Sequence, residues 1–220
     1  MAARRLPRER GLFAVVAAVG LVLALLAGYG LLRGAGSTGN VEERAGDGDE
    51  PASAAVQEIS VRVIGAGRLR LGATLLLPGP TDAPVPAAAV IPGFGPTNRD
   101  GVASPGTAPD TLYRDLAETL GEAGVATLRY DKRGQGTSVL PAGIPLRFED
   151  MVEDARGALD LLAGRKGIDG RRLALVGHDE GGLVALRLAA DDPRVRAVVL
   201  ISTPGRPLAE VLADDLRATA

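Results

Sequence analysis

The sequence predicts an α/β protein: a doubly wound, mostly parallel sheet with helices on both faces, preceded by one transmembrane helix. Three observations carry this expectation. From Val56 onward, strand-like and helix-like patterns take turns along the chain, as they do when helical crossovers join parallel strands. Before that point, Arg4, Arg5, Arg8 and Arg10 lead into an uncharged run from Gly11 to Leu32. As a helix this run reaches roughly 33 Å, enough for a hydrocarbon core of about 30 Å. Finally, Gly177-His178-Asp179-Glu180-Gly181-Gly182 stands between an apolar strand pattern and a helix pattern, where a sharp strand-to-helix turn needs small residues.

The N-terminal region divides at composition changes. Residues 1–10 are a basic segment, 11–32 the apolar span, and 33–55 a linker rich in Gly, Ser, Ala and acidic residues. The span is longer than the apolar core of a signal peptide, and Leu25 spoils the small-x-small site ending at Ala27. An uncleaved anchor is therefore the expectation, with a cleaved signal peptide and secretion as the alternative. Arginines before the span, and Glu42, Glu43, Asp47, Asp49 and Glu50 beyond it, leave the N-terminus cytoplasmic and the domain at 56–220 outside.

Within that domain, Val56–Val63 and Leu69–Leu77 read as an antiparallel hairpin, and Ala87–Ile91 as a buried strand ending at Pro92-Gly93. Leu112, Leu116, Leu120 and Ala123 mark one face of a helix over 110–124, started by Asp110 or Thr111 and stopped by Gly124. Val125–Tyr130 is the next strand. A helix over 148–163 carries Phe148, Met151, Val152, Ala155, Leu159 and Leu162 on one stripe, with Glu149 and Asp150 at its positive end. Arg172–Val176, Glu180–Ala190 and Val195–Ile201 complete a strand, helix and strand, and Leu208–Arg217 is helix-like. The loops beyond the carboxyl ends of such strands are where a site belongs.

Composition removes several chemistries. With no cysteine there is neither disulfide nor thiolate nucleophile, and with one histidine a zinc site is not expected. No cofactor is implied, and a net charge of −2 gives no footprint for nucleic acid.

Three loops hold more than ordinary turn residues. Glycines in Pro92-Gly93-Phe94-Gly95-Pro96-Thr97-Asn98-Arg99-Asp100-Gly101 let backbone N–H groups face a cavity, although the same run also reads as a plain Gly/Pro loop. Tyr130-Asp131-Lys132-Arg133-Gly134-Gln135-Gly136 reads as a salt-bridged wall with a mainly structural role. In the third loop Gly177 and Gly181 flank the turn and Gly182 lets the following helix approach the sheet. Asp179 is thereby presented on a strained bend at a helix N-terminus. His178, the only histidine, lies inside this turn.

In these motifs, in their order, and in Pro204-Gly205-Arg206-Pro207-Leu208, the chain resembles the α/β-hydrolase superfamily, more narrowly its serine-aminopeptidase-like and esterase-like branch. The resemblance covers about Val56 to Leu216. It implies that Asp179 occupies the position of the serine nucleophile and that the N–H groups of Phe94 and Glu180 form an oxyanion hole. It also implies two further strands bearing a catalytic acid and a histidine, which these 220 residues do not contain. The expectation is thus a C-terminally truncated sheet lacking its last two strands, with Val195–Ile201 as an exposed edge that invites self-association.

The function expected is that of a membrane-anchored hydrolase-like protein of the ester- or amide-cleaving type, acting on a small ester, amide or short peptide and impaired by the missing groups. Two alternatives stay open. One is a non-catalytic, membrane-tethered binding module or gene fragment. The other is a hydrolase with an aspartate nucleophile, like haloalkane dehalogenases and epoxide hydrolases. Those enzymes usually have a tryptophan after the aspartate, where this chain has Glu180.

Overall fold

The computed structural model describes residues 56–101 and 111–218. Six strands form one sheet in the order β1-β2-β4-β3-β5-β6. They are β1 (Gln57–Ile64), β2 (Arg70–Leu77), β3 (Val85–Ile91), β4 (Ala126–Tyr130), β5 (Ile168–His178) and β6 (Val195–Ile201). The first two pair antiparallel as a hairpin, and β2 runs antiparallel to β4. The β4-β3-β5-β6 portion is wholly parallel. Among the described residues four α-helices accompany the sheet, α1 (Leu112–Glu122), α2 (Phe148–Ala163), α3 (Glu180–Asp191) and α4 (Leu208–Ala218), and a short 3-10 helix (Ala66–Arg68) joins β1 to β2.

Side-chain alternation on the central strands builds two cores. On β3, Ala87, Ala89 and Ile91 point to the same side as Leu173 and Leu175 of β5, where Ala155, Leu159 and Leu162 of α2 and Val184, Ala185 and Leu188 of α3 cover them. Ala88, Val90, Ala174 and Val176 point to the other side, under Tyr113, Leu116 and Leu120 of α1. Both faces of β3 and β4 are buried throughout. That explains why β3 reads as a continuous apolar run without alternation, while β4 buries Thr127 and Arg129 among its apolar residues.

Most expected elements are present, with shifts that have local causes. Helix α1 starts at Leu112 with Thr111 as its N-cap residue, but no side-chain bond to the backbone caps it. The Thr111 hydroxyl donates instead to Asp115 Oδ2 at 3.0 Å. Asp110, the other expected cap, lies outside the described residues. Gly124, at φ +81°, ends the helix with its N–H on the Gly121 carbonyl. Strand β5 is longer than its apolar run because it begins at Ile168, opposite Val85. The buried face of α2 holds two residues beyond the expected stripe, Ala158 and the charged Asp154.

Among the described residues no helix is long and apolar enough to cross a membrane. The segments at 1–10, 11–32 and 33–55, including the expected transmembrane helix, lie outside the described residues.

Candidate functional site

Three loops meet above the carboxyl ends of β3, β4 and β5. The turn from β5 into α3 is sharp: Asp179 stands at φ 50°, ψ −121°, and its N–H donates to the Ile201 carbonyl at 2.8 Å. A non-glycine residue in this region costs of order 1–3 kcal/mol and persists only where its surroundings fix it. Its surroundings do so tightly. A Cβ on Gly177 would strike the backbone of Gly181 and Gly182, and one on Gly181 would strike the carbonyl oxygens of Ile91 and Pro92. Gly182 lies close against Gly177 of β5, and a Cβ on Gly182 would also strike the side chain of Thr203, in the loop after β6.

The loop after β3 lies directly against this bend. The Phe94 N–H donates to Asp179 Oδ2 at 3.2 Å, and the Gly93 N–H donates to the Tyr113 hydroxyl at 2.9 Å. That hydroxyl is also 2.9 Å from His178 Nδ1, so the single histidine is tied to α1 as part of the frame. Among the described residues no imidazole is hydrogen-bonded to the Asp179 carboxylate. The Phe94 ring is exposed at the mouth. Glu180, buried as the first residue of α3, has a backbone N–H without an intrahelical acceptor. The structure therefore brings Asp179, Phe94 and Glu180 together at one bend.

Charged side chains hold the loops in place. Asp131 accepts from the Arg99 N–H at 2.9 Å, from Arg99 Nη2 at 2.6 Å and from the Thr137 N–H at 2.7 Å. Burial would raise its pKa, but the Arg99 and Thr137 bonds outweigh that and hold it below the usual carboxylate value. Asp100 is paired with Arg114 at 2.9 Å and Arg129 at 3.4 Å. Both carboxylates are thus engaged in fixing loops, and neither bonds to Asp179. Arg133 reaches Asp154 of α2 through Nε at 2.7 Å and Nη2 at 2.6 Å. The Asp154 bond raises the Arg133 pKa against the opposing effect of burial.

The wall loop was expected to be mainly structural, and Lys132 adds a contact with both neighbouring loops. Its Nζ donates to the Gly93 carbonyl at 3.1 Å and to Glu180 Oε2 at 2.9 Å. Sequence spacing carries no signal for this contact, since it joins residues 39 and 48 positions apart.

A sharp turn after β5 thus stands above a parallel sheet, with an N–H from the β3 loop aimed at its apex, and similarity to known proteins places the fold. Residues 110–218 match the family described as serine aminopeptidase, S33. The chain is 32% identical over 134 residues to Esterase EstD of Thermotoga maritima, covering 61% of this chain and 31% of the esterase. It is 33% identical over 93 residues to the thiohydrolase apmlB of Arthrinium phaeospermum, covering 41% and 29% respectively. The chain belongs to the α/β-hydrolase superfamily, in its esterase-like branch.

Solved α/β-hydrolase structures share the fold. An esterase of Pyrococcus furiosus superimposes with a TM-score of 0.61 at 17% identity, over 80% of this chain and 60% of that one. The hydrolase GrgF of Penicillium gives 0.56 at 24% identity, over 74% and 53%. The chain spans less than a third of the length of Esterase EstD and of the thiohydrolase apmlB. At the apex of its turn this chain carries a carboxylate, that of Asp179.

Proposed function

We propose that this chain is an esterase-type hydrolase scaffold whose site takes small carboxylic esters or amides, held outside the cytoplasm by its N-terminal apolar segment, with acyl-transfer turnover strongly impaired by the carboxylate at the elbow. One observation carries the reading: Asp179 Oδ2 accepts the Phe94 N–H. In acyl transfer that donor has to meet the oxygen of the substrate carbonyl as it becomes negative. Here a resident anion occupies it, so an incoming oxyanion would lose a donor and meet like charge. Attack by the carboxylate on an ester would moreover leave an acid anhydride, a poorer route than acylation of a hydroxyl.

The test replaces the residue at the apex. Asp179→Ser, made in the full chain in detergent, is expected to be labelled at position 179 by a fluorophosphonate, while the wild type is not labelled. A folded Asp179→Ser protein that resists the probe would remove the elbow assignment. Turnover of p-nitrophenyl acetate by the wild type at ordinary esterase rates would remove the impairment. Protease treatment of intact cells should digest the domain if it is displayed outside.

A second reading rests on the same carboxylate. With Oδ2 held by Phe94, Asp179 Oδ1 accepts no hydrogen bond among the described residues. A carboxylate held this way presents one oxygen for attack on an sp³ carbon and keeps a donor on the ester oxygen that results. Alkylation of Asp179 by an epoxide or alkyl halide, followed by release of the diol or alcohol, would favour this reading over the first.

A further inference from the structure

The ammonium of Lys132 touches both the loop after β3 and the first residue of α3. Lys132 is 9% exposed, and its Nζ bonds the Gly93 carbonyl at 3.1 Å and Glu180 Oε2 at 2.9 Å, with the Phe94 ring centre 5.9 Å away. The Gly93 carbonyl and the Phe94 N–H belong to a single planar peptide unit. Holding its oxygen from one side therefore fixes where the N–H points on the other. Glu180, held by the same ammonium, is the residue whose own N–H starts α3.

We infer that Lys132 is the positioning residue of the oxyanion pocket: one cation ties the peptide that offers the Phe94 N–H to the residue that offers the Glu180 N–H. This rests on the proposed reading that those two N–H groups receive developing negative charge. The geometry supports the role in three ways. The three contacting segments follow three different strands, β3, β4 and β5, so no local backbone pattern sets their spacing. The loop after β3 contains Gly93 and Gly95, the latter at φ +86°, and glycine backbone reorients easily unless something holds it. A cation on the carbonyl oxygen also polarises the peptide and makes its N–H a better donor. The Glu180 carboxylate balances the charge, so the clamp adds no net positive charge beside Asp179.

A purely structural ion pair would stabilise the fold without controlling the N–H direction, and the test separates the two. Lys132→Met alone would strand the Glu180 carboxylate, so it is combined with Glu180→Gln, which removes both charges and retains the backbone N–H. In an Asp179→Ser background the pair of changes should slow covalent labelling by a fluorophosphonate roughly 10- to 100-fold, with reversible binding of the probe unchanged. Labelling at the rate of Asp179→Ser alone would overturn the inference.

An NMR measurement of the full chain in micelles reads the clamp without any chemistry. In otherwise wild-type protein, Lys132→Met with Glu180→Gln should move the Phe94 amide resonance while amides of α2 stay in place. An unmoved Phe94 amide refutes the clamp. If Asp179→Ser is never labelled yet the Phe94 amide moves, the hydrolase reading falls and the clamp survives. If labelling proceeds at full rate and the amide is unmoved, the clamp alone falls.

Discussion

Replacing Asp179 by glycine should leave the protein more stable than replacing it by alanine, the reverse of the usual order. Both substitutions delete the carboxylate and its bond to the Phe94 N–H, so that loss cancels in the comparison. What differs is the backbone. At φ 50° and ψ −121° alanine keeps the strain of a Cβ in a region that only glycine enters freely. That strain is of order 1–3 kcal/mol, whereas glycine gives back about 0.5–1 kcal/mol through the extra freedom of its unfolded chain. Taking mid-range values leaves about 1 kcal/mol in favour of glycine. For a chain of this size that is roughly 2–4 °C in Tm. Urea unfolding of Asp179→Gly and Asp179→Ala, in the same detergent, measures the difference directly. A result in which alanine equals or exceeds glycine would mean that residue 179 does not sit on a strained turn, and the argument for a presented side chain would go with it.

Three further outcomes follow from the packing around the site. Asp154→Asn strips the buried Arg133 of its main counter-charge, with Asp150 at 3.4 Å left as partial compensation. It should therefore cost about 3 kcal/mol in urea unfolding, and adding Arg133→Met, which removes the stranded charge while the new amide oxygen at position 154 still accepts the Ala66 N–H, should recover most of that. Gly181→Ala would drive a Cβ into the Ile91 and Pro92 carbonyl oxygens, which are backbone and cannot step aside. It should destabilise by about 2–3 kcal/mol and abolish fluorophosphonate labelling in an Asp179→Ser background. Asp131 and Asp192 both titrate below the ordinary carboxylate value of 3.8 in the fold, so their stabilisation is complete above that pH and is lost as pH falls through their lowered values. An acid titration followed by circular dichroism should be shallower for Asp131→Asn than for the wild type; equal curves would assign the acid limb to other groups.

Much of the fold was legible because it follows short-range rules. The α2 and β6 spans, 148–163 and 195–201, coincide with the observed elements, since an apolar stripe or run marks each from end to end. The start of β5 was not legible: Ile168-Asp169-Gly170-Arg171 lacks an apolar run, and its pairing with Val85 is set by a distant strand. The bend at Asp179 was legible through Gly177 and Gly181, whose missing side chains are a local necessity. The ion pairs of Arg133 with Asp154 and of Lys132 with Glu180 were not. A charged residue on a helix stripe or in a polar loop looks the same in sequence whether it is solvated or buried against a partner. The one available cue was Asp154 falling on the buried side of the α2 stripe, one turn before Ala158.

The elbow also explains how a carboxylate is tolerated at its apex. An aspartate there must satisfy a charge beside a protein interior, and three features of the turn help without any change elsewhere. The start of α3 brings the positive end of a helix dipole towards residue 179. The Phe94 N–H supplies a direct donor. The nearest other acid, Glu180, is neutralised by Lys132, so the two adjacent carboxylates do not stand as an unscreened pair. A turn that aims a backbone N–H and a helix N-terminus at its apex is thus suited to hold a permanent negative charge. On the proposed reading, Asp179→Ser places a reactive hydroxyl beside the Phe94 N–H, but its deprotonation would still need a base, because His178 is committed to Tyr113. Labelling by a strongly activated phosphonate should therefore outpace turnover of an unactivated ester by orders of magnitude, and a free imidazole added to the buffer should narrow the gap.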